Sequence, residues 1–248
     1  MREKDYINAV NKIAIPKDME IRIMKRCRES KGKNVFARKR RYAVIMAAAV
    51  MAVGLTSFAV AGGHIASISG GSNSFYDYRK LPTAEICLKD VGFEPILIDD
   101  LGFGYTFKGG NKVKSALNYE NGNKEKFNEL SLEYSNGDDN ISLYEYKKQY
   151  SADISENAEL VYSDGNKEMY YVSCKQKNVP ADYELTDKDR QAIDNGEYVM
   201  GYGTDDIETV NISHVIWTDD TLAYDLLQID GKLTKEQLID MAINIVEK

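Results

Sequence analysis

Cysteine and histidine side chains are the first candidates for chemistry in this chain, and they are few. The chain of 248 residues contains three Cys and two His. A Cys thiolate beside a His could act as a nucleophile in hydrolysis. His64, however, falls in a Gly- and Ser-rich stretch, and His214 stands between two Ile on one face of a predicted strand. We therefore predict a buried, hydrogen-bonded His214, no catalytic residues, no enzyme activity and no cofactor.

Cys87 and Cys174 also allow two structural roles. In an oxidising compartment they could form a disulfide, which would close a long loop and stabilise the fold by about 2–4 kcal/mol. Both also lie on apolar faces of predicted elements, which is typical of free, buried thiols. The sequence leaves both alternatives open.

Paired carboxylates and tyrosines are the other candidates for a binding site. Four Asp-Asp pairs stand at 99–100, 138–139, 205–206 and 219–220. Carboxylates bind Ca²⁺, but the pairs lack EF-hand spacing and Asp is common in turns, so we predict turns and no metal site. The many Tyr could bind glycans or peptides, or they could simply form the core and surface of strands.

The elements that would position these side chains lie between residues 81 and 248. Apolar spacing predicts a short helix over Ala84–Val91, ended by Gly92. Short runs rich in Tyr, Val, Ile and Leu then predict antiparallel strands joined by turns. A capping box at Thr234 and Gln237 predicts a last helix that lies across the sheet. We therefore predict an extracytoplasmic α+β domain over 81–248, preceded by a flexible spacer over 62–80.

Charge is distributed unevenly along the chain. Residues 1–41 carry 14 Lys and Arg against 5 Asp and Glu, a net of +9, whereas residues 62–248 carry a net of −16. Residues 42–61 carry no charge and are long enough to cross a bilayer, so we predict a transmembrane helix over 39–61. The basic residues before it predict a cytoplasmic N-terminus. Cleavage as a signal peptide after Ala59-Val60-Ala61 is the alternative.

The N-terminal tail, residues 1–38, has two short apolar stripes that are too small to form an independent core. Three hypotheses follow: the stripes bind a cytoplasmic protein, the basic second helix lies on anionic lipid, or the tail only sets topology. A nucleic-acid partner is not predicted. The residues proposed to contact a protein partner are Tyr6, Val10, Ile13, Met19, Ile23 and Met24.

Three segments resemble a known family. They are AEICLKDVGFEPILIDDLGFGYTF (84–107), HVIWTDDTLAYDLLQIDGKLTKEQLIDMAINI (214–245) and YINAVNKIAIPKDMEIRIMKR (6–26). They look like parts of bacterial single-pass membrane proteins with an extracytoplasmic domain of unknown function, often described as anti-sigma-factor-like. The resemblance implies a sigma factor as the cytoplasmic partner.

Together these features predict a single-pass membrane protein. Its external domain would sense or bind an unidentified envelope ligand, and its tail would act as an anti-sigma-like regulator. The alternative is a surface-anchored structural or ligand-binding protein whose tail only sets topology.

Overall fold

A large curled β-sheet dominates the structure. This computed structural model describes residues 59–60, 63–73, 75–119, 121–151, 158–165 and 167–247. The strands are β1 (Ala59–Val60), β2 (Gly63–Gly71), β3 (Asp100–Gly102), β4 (Tyr105–Tyr119), β5 (Lys124–Asn136), β6 (Asp139–Lys147), β7 (Glu159–Ser163), β8 (Glu168–Val179), β9 (Val199–Tyr202), β10 (Glu208–Thr218) and β11 (Leu222–Ile229). The helices are α1 (Ala84–Val91), α2 (Asp187–Asp194) and α3 (Lys235–Val246), with a 3₁₀ turn at Lys148–Tyr150.

The strand order along the sheet is β1-β2-β4-β5-β6-β11-β10-β8-β7. Short β3 pairs with β4, and β9 pairs with β8. Every pair is antiparallel except β8–β9, which is parallel because the chain passes through α2 before it returns to the sheet. The result is a mixed sheet that curls into a half-barrel.

The sheet has a hydrophobic cluster on each face. On the helix-covered face, Leu130 and Leu132 of β5 belong to one core with Cys87 of α1 and Met241 of α3. On the opposite face, Phe127 belongs to a second cluster with residues of β4, β6, β10 and β11. Central strand β11 is buried along almost its whole length, which explains why its sequence does not alternate strictly.

The predicted helices at both ends of the domain are confirmed. Helix α1 spans Ala84–Val91, is capped by the Thr83 side chain, and ends at Gly92 with a left-handed φ of 86°. Helix α3 has the predicted capping box, in which Thr234 and Gln237 bond each other's backbone. Its buried residues are Leu238, Met241, Ala242 and Ile245.

The predicted fold class is wrong. It combined an external antiparallel sheet and its C-terminal helix with a transmembrane helix and a helical tail, whereas the molecule is mostly a curled mixed half-barrel with few helices. Among the described residues, no helix has the length and apolar character needed to span a bilayer. The sheet is mixed because β9 joins β8 in parallel after the α2 crossover.

The structure also differs at the start of the domain. The predicted spacer of 62–80 contains β2, a nine-residue strand that pairs with β4. Ala59 and Val60, at the end of the predicted transmembrane segment, form β1 and pair with β2. β2 pairs with the edge of β4 that β5 does not occupy, and β1 then pairs with β2, so both strands extend the sheet. The other residues predicted to span the membrane, and the tail of residues 1–38, lie outside the described residues.

Candidate functional site

An open cavity lies near the turn of the β4–β5 hairpin, beside β2. Its volume is about 380 Å³, which is within the range of about 300–1,000 Å³ that is typical of small-molecule sites. The residues that line it are Ser69, Gly70, Lys114, Ser115, Ala116, Lys124, Lys126, Phe127 and Asn128. We call it the lysine-lined cavity, and we call Lys114, Lys124 and Lys126 the cavity lysines.

Strand register explains how the cavity lysines come together. Ala116 of β4 pairs with Ser69 of β2 on one side and with Lys126 of β5 on the other. Paired residues share a face of the sheet, as do residues two apart on one strand, so Lys114 and Lys124 lie on this face too. Ser69 and Ala116, which lie between the lysines, are small, so the described residues leave this space open.

The cavity lysines are exposed and have no ion-pair partner in the part of the chain that the structure describes. By contrast, the lysines that form ion pairs there are Lys108, Lys112, Lys177 and Lys235. Like charges on neighbouring strand positions repel each other. Three such ammonium groups around an open cavity therefore favour a bound anion, although residues 62–248 as a whole are acidic.

A second group of ionisable side chains is buried on the opposite face of the sheet. We call Glu129, His214 and Asp225 the buried cluster; they are 2%, 0% and 0% exposed. The Nδ1 atom of His214 lies 3.0 and 3.1 Å from the two carboxylate oxygens of Asp225. Among the described residues, neither Nε2 of His214 nor Oε1 of Glu129 has a hydrogen-bond partner. The predicted buried, hydrogen-bonded His214 is confirmed.

Burial controls the charge of the carboxyl groups in this cluster. Burial raises the pKa of Glu129 to about 8, the nearby Ser115 hydroxyl opposes this shift, and the negative charge of Asp225 adds to it. Burial also raises the pKa of Asp225, against the opposing effect of His214. Glu129 therefore carries a proton at neutral pH, and it gains a negative charge inside the protein when the pH rises past about 8.

A further buried carboxyl, Glu145, lies on the helix-covered face beneath α1. Its Oε2 atom accepts a hydrogen bond of 2.8 Å from the Ile96 amide, and burial raises its pKa to about 8. Burial also raises the pKa of the Cys87 thiol to about 11, with a further contribution from the charge of Glu145. Since the thiolate is the reactive form, Cys87 is unsuited to nucleophilic catalysis.

The two candidate disulfide cysteines are both free thiols. Cys87 belongs to the core on the helix-covered face, and Cys174 packs against the cluster on the opposite face. The sheet lies between them. The structure therefore favours the alternative of two free thiols.

A network of charged and polar side chains at α2 finds its hydrogen-bond partners within the domain. The Asp189 carboxylate accepts hydrogen bonds from Lys177, Thr186, Tyr183 and Tyr198. These bonds, that of Lys177 foremost, hold the pKa of Asp189 well below its usual range. With all its partners in place, this network anchors α2 to β8 and is not a site for a ligand.

Two of the Asp pairs stabilise turns, as predicted. Asp219 accepts hydrogen bonds from the Leu222 amide at 2.7 Å and from the Tyr224 hydroxyl at 2.6 Å. Asp100 likewise accepts a hydrogen bond of 2.7 Å from the Gly102 amide, two residues along the chain. Asp139 instead accepts bonds from the Tyr105 hydroxyl and the Lys232 amide, which are distant in sequence. In the described ranges, no group of three or more His, Cys, Asp or Glu could hold a metal ion.

Of the 15 tyrosines that the structure describes, six are buried, eight are partly buried and Tyr202 is exposed. Tyr105, Tyr134, Tyr144 and Tyr224 are each at most 2% exposed. The Tyr134 hydroxyl, for example, donates a hydrogen bond of 2.9 Å to the Ile98 carbonyl within the domain. The structure therefore favours the core role for these residues over a recognition surface. The proposed partner-binding residues of the tail lie outside the described residues.

Sequence reasoning missed the cavity lysines and both buried glutamates. Lys at alternate positions of one strand, as at 124 and 126, was an available signal for a shared face. Glu129 gave no signal, because it alternates with Leu130 and Leu132 and is therefore placed on a solvent face. The burial of both faces at this position depends on contacts that are distant in sequence.

The chain was also compared with known proteins. No protein-family model matches it, and no curated protein and no solved structure has significant similarity to it. The resemblance to anti-sigma-factor-like membrane proteins therefore stays a prediction.

Proposed function

We propose that the sheet domain is a sensory or binding domain whose ligand is a polyvalent anion, held in the lysine-lined cavity. The observation that carries this proposal is the convergence of three lysines without ion-pair partners, within the described chain, on a cavity of about 380 Å³. The ligand would carry phosphate, sulfate or several carboxylate groups. Lysine binds such groups as a point charge on a flexible stem, so the site suits clustered negative charge of varied shape.

Binding of trimetaphosphate to the full chain tests the proposal. This cyclic trianion does not titrate near neutral pH, and it can be followed by isothermal titration calorimetry. Replacement of the three cavity lysines (Lys114→Gln, Lys124→Gln and Lys126→Gln together) is expected to weaken binding by at least about tenfold, since each charge contact contributes up to about 1 kcal/mol.

The matched control replaces three exposed lysines outside the cavity (Lys147→Gln, Lys175→Gln and Lys188→Gln together). It removes the same net charge, so it separates a local site from general electrostatic attraction. Equal loss of affinity in the two triple variants, or no binding by the unmodified chain, would contradict the proposal.

The regulatory part of the proposal rests on the sequence. The charge asymmetry supports a location of residues 62–248 outside the cytoplasm, and the apolar stripes of the tail support a cytoplasmic protein partner, such as a sigma factor. Replacement of Met19 and Ile23 by Asp in the full chain is expected to abolish co-purification of that partner. An unchanged set of co-purified proteins would instead favour a tail that only sets topology.

A further inference from the structure

Glu129 of the buried cluster directly follows the cavity-lining residues of β5 and lies on the opposite face of the sheet from the cavity lysines. Phe127 and Asn128, which precede it on β5, line the cavity. Ser115, which lines the cavity from β4, pairs with Phe127, and the next pair on the face that these two share is Val113 with Glu129. The Ser115 hydroxyl is also close enough to affect the ionisation of Glu129. The cavity wall and the buried carboxyl therefore share the same stretch of two strands.

Among the described residues, no lysine or arginine stabilises the ionised form of Glu129. β6 contributes Tyr144 and Tyr146, and β11 contributes Asp225, whose negative charge disfavours ionisation of Glu129. Burial and the nearby carboxylates raise the pKa of both tyrosines, so they stay neutral at every pH at which Glu129 titrates. His214 of β10 lies against Asp225. On β5 itself, Glu125 and Glu133 stand on the same face as Glu129, and they bond the Tyr119 hydroxyl and Lys108, respectively.

We propose that Glu129 makes anion binding in the lysine-lined cavity dependent on protons: the neutral carboxyl permits binding, and its ionised form weakens it. This inference rests on the function proposed above and adds the regulation of the same site. By linkage, the bound anion must favour the protonated carboxyl to the same degree. The domain would then bind its ligand more tightly in acidic than in alkaline surroundings.

The distance supports an effect of useful size. Lys126 is three residues from Glu129 on one strand, which separates their backbones by about 10 Å. Their side chains leave opposite faces of the sheet, so an anion held by the lysines lies farther from the carboxylate, at roughly 15 Å. A new negative charge at this distance repels a trivalent anion enough to change its affinity by about three- to tenfold. Ionisation of Glu129 lowers the affinity, because a carboxylate repels the anion and weakens the positive potential that the lysines create.

The test is calorimetric titration of the full chain with trimetaphosphate at pH 6.5 and pH 9. The probe keeps its charge over this range, so a change in affinity comes from the protein. Affinity is expected to fall about three- to tenfold between the two pH values in the unmodified chain, and to fall much less in Glu129→Gln. The control is Glu125→Gln, an exposed carboxylate between two cavity lysines, which is expected to leave the pH dependence in place.

A second measurement needs no variant. Calorimetry at pH 8 in two buffers of different ionisation enthalpy is expected to show uptake of a fraction of a proton on binding. Binding without proton uptake, or an equal pH dependence in Glu129→Gln, would overturn this inference and leave the anion site intact. Absence of binding at both pH values would overturn the proposed function and this inference with it.

Discussion

The buried carboxyls Glu129 and Glu145 lie on adjacent strands but on opposite faces of the sheet. Glu129 pairs with Tyr146, and Glu145 pairs with Leu130, so each carboxyl enters a different core. Each keeps one oxygen without a hydrogen-bond partner among the described residues. Burial of an ionised carboxylate in such a place is costly, so both groups stay protonated near neutral pH.

The sign of the resulting pH dependence can be tested at Glu145. Its folded pKa of about 8 lies above the ordinary value of about 4.3. The stability that it contributes is therefore complete below about pH 4 and is lost as the pH rises toward 8. The change that Glu145→Gln makes to the free energy of unfolding is therefore expected to be about 1–3 kcal/mol more favourable at pH 8.5 than at pH 5.

Urea unfolding of both proteins at the two pH values measures this difference. Glu133→Gln is the control, since Glu133 lies on the neighbouring strand but is only partly buried and pairs with Lys108. If the free energy of unfolding changes with pH as much in Glu145→Gln as in the unmodified chain, the raised pKa assigned to Glu145 is contradicted.

Among the elements, α3 is the one whose sequence specifies its boundaries most fully. The Thr234 side chain accepts a bond from the Gln237 amide at 3.3 Å, and the Gln237 side chain accepts one from the Thr234 amide at 3.0 Å. These bonds satisfy two amides that the helix itself leaves unpaired. The helix then buries Leu238 and Met241 against the sheet.

Loss of this cap should weaken the whole domain, because α3 covers one core. Thr234→Ala is expected to lower the free energy of unfolding by about 1 kcal/mol. Thr234→Ser keeps the hydroxyl and is expected to retain most of the stability. Equal unfolding midpoints in urea for the Ala and Ser variants would show that the cap contributes nothing.

Local sequence patterns predicted individual helices and strands, but they did not predict features that depend on pairing between strands distant in sequence. The runs rich in Tyr, Val, Ile and Leu predicted strands, and Gly92 predicted the end of α1. The lysine-lined cavity, however, exists because Ser69 pairs with Ala116, and no local pattern encodes that pairing. β2 also depends on distant pairing, and its Gly- and Ser-rich composition is typical of a flexible linker, so the sequence predicted a spacer there.

For the whole molecule, the acidic charge of residues 62–248 makes the cavity lysines an exception rather than part of a general basic surface. An anion is repelled by most of this domain and attracted only where positive charges cluster. The charge asymmetry and most of the strands and helices can be predicted from the sequence. The cavity cannot, because it depends on the register of three strands.

The location of the bound anion is the most direct test of the central claim. Trimetaphosphate added to the ¹⁵N-labelled full chain at pH 6.5 is expected to shift the backbone amide signals of Gly70, Ala116 and Asn128 the most, and to leave those of α3 unchanged. Saturable shifts confined to these strands would support an anion site in the lysine-lined cavity. Shifts scattered over the surface, or centred on another part of the chain, would contradict it.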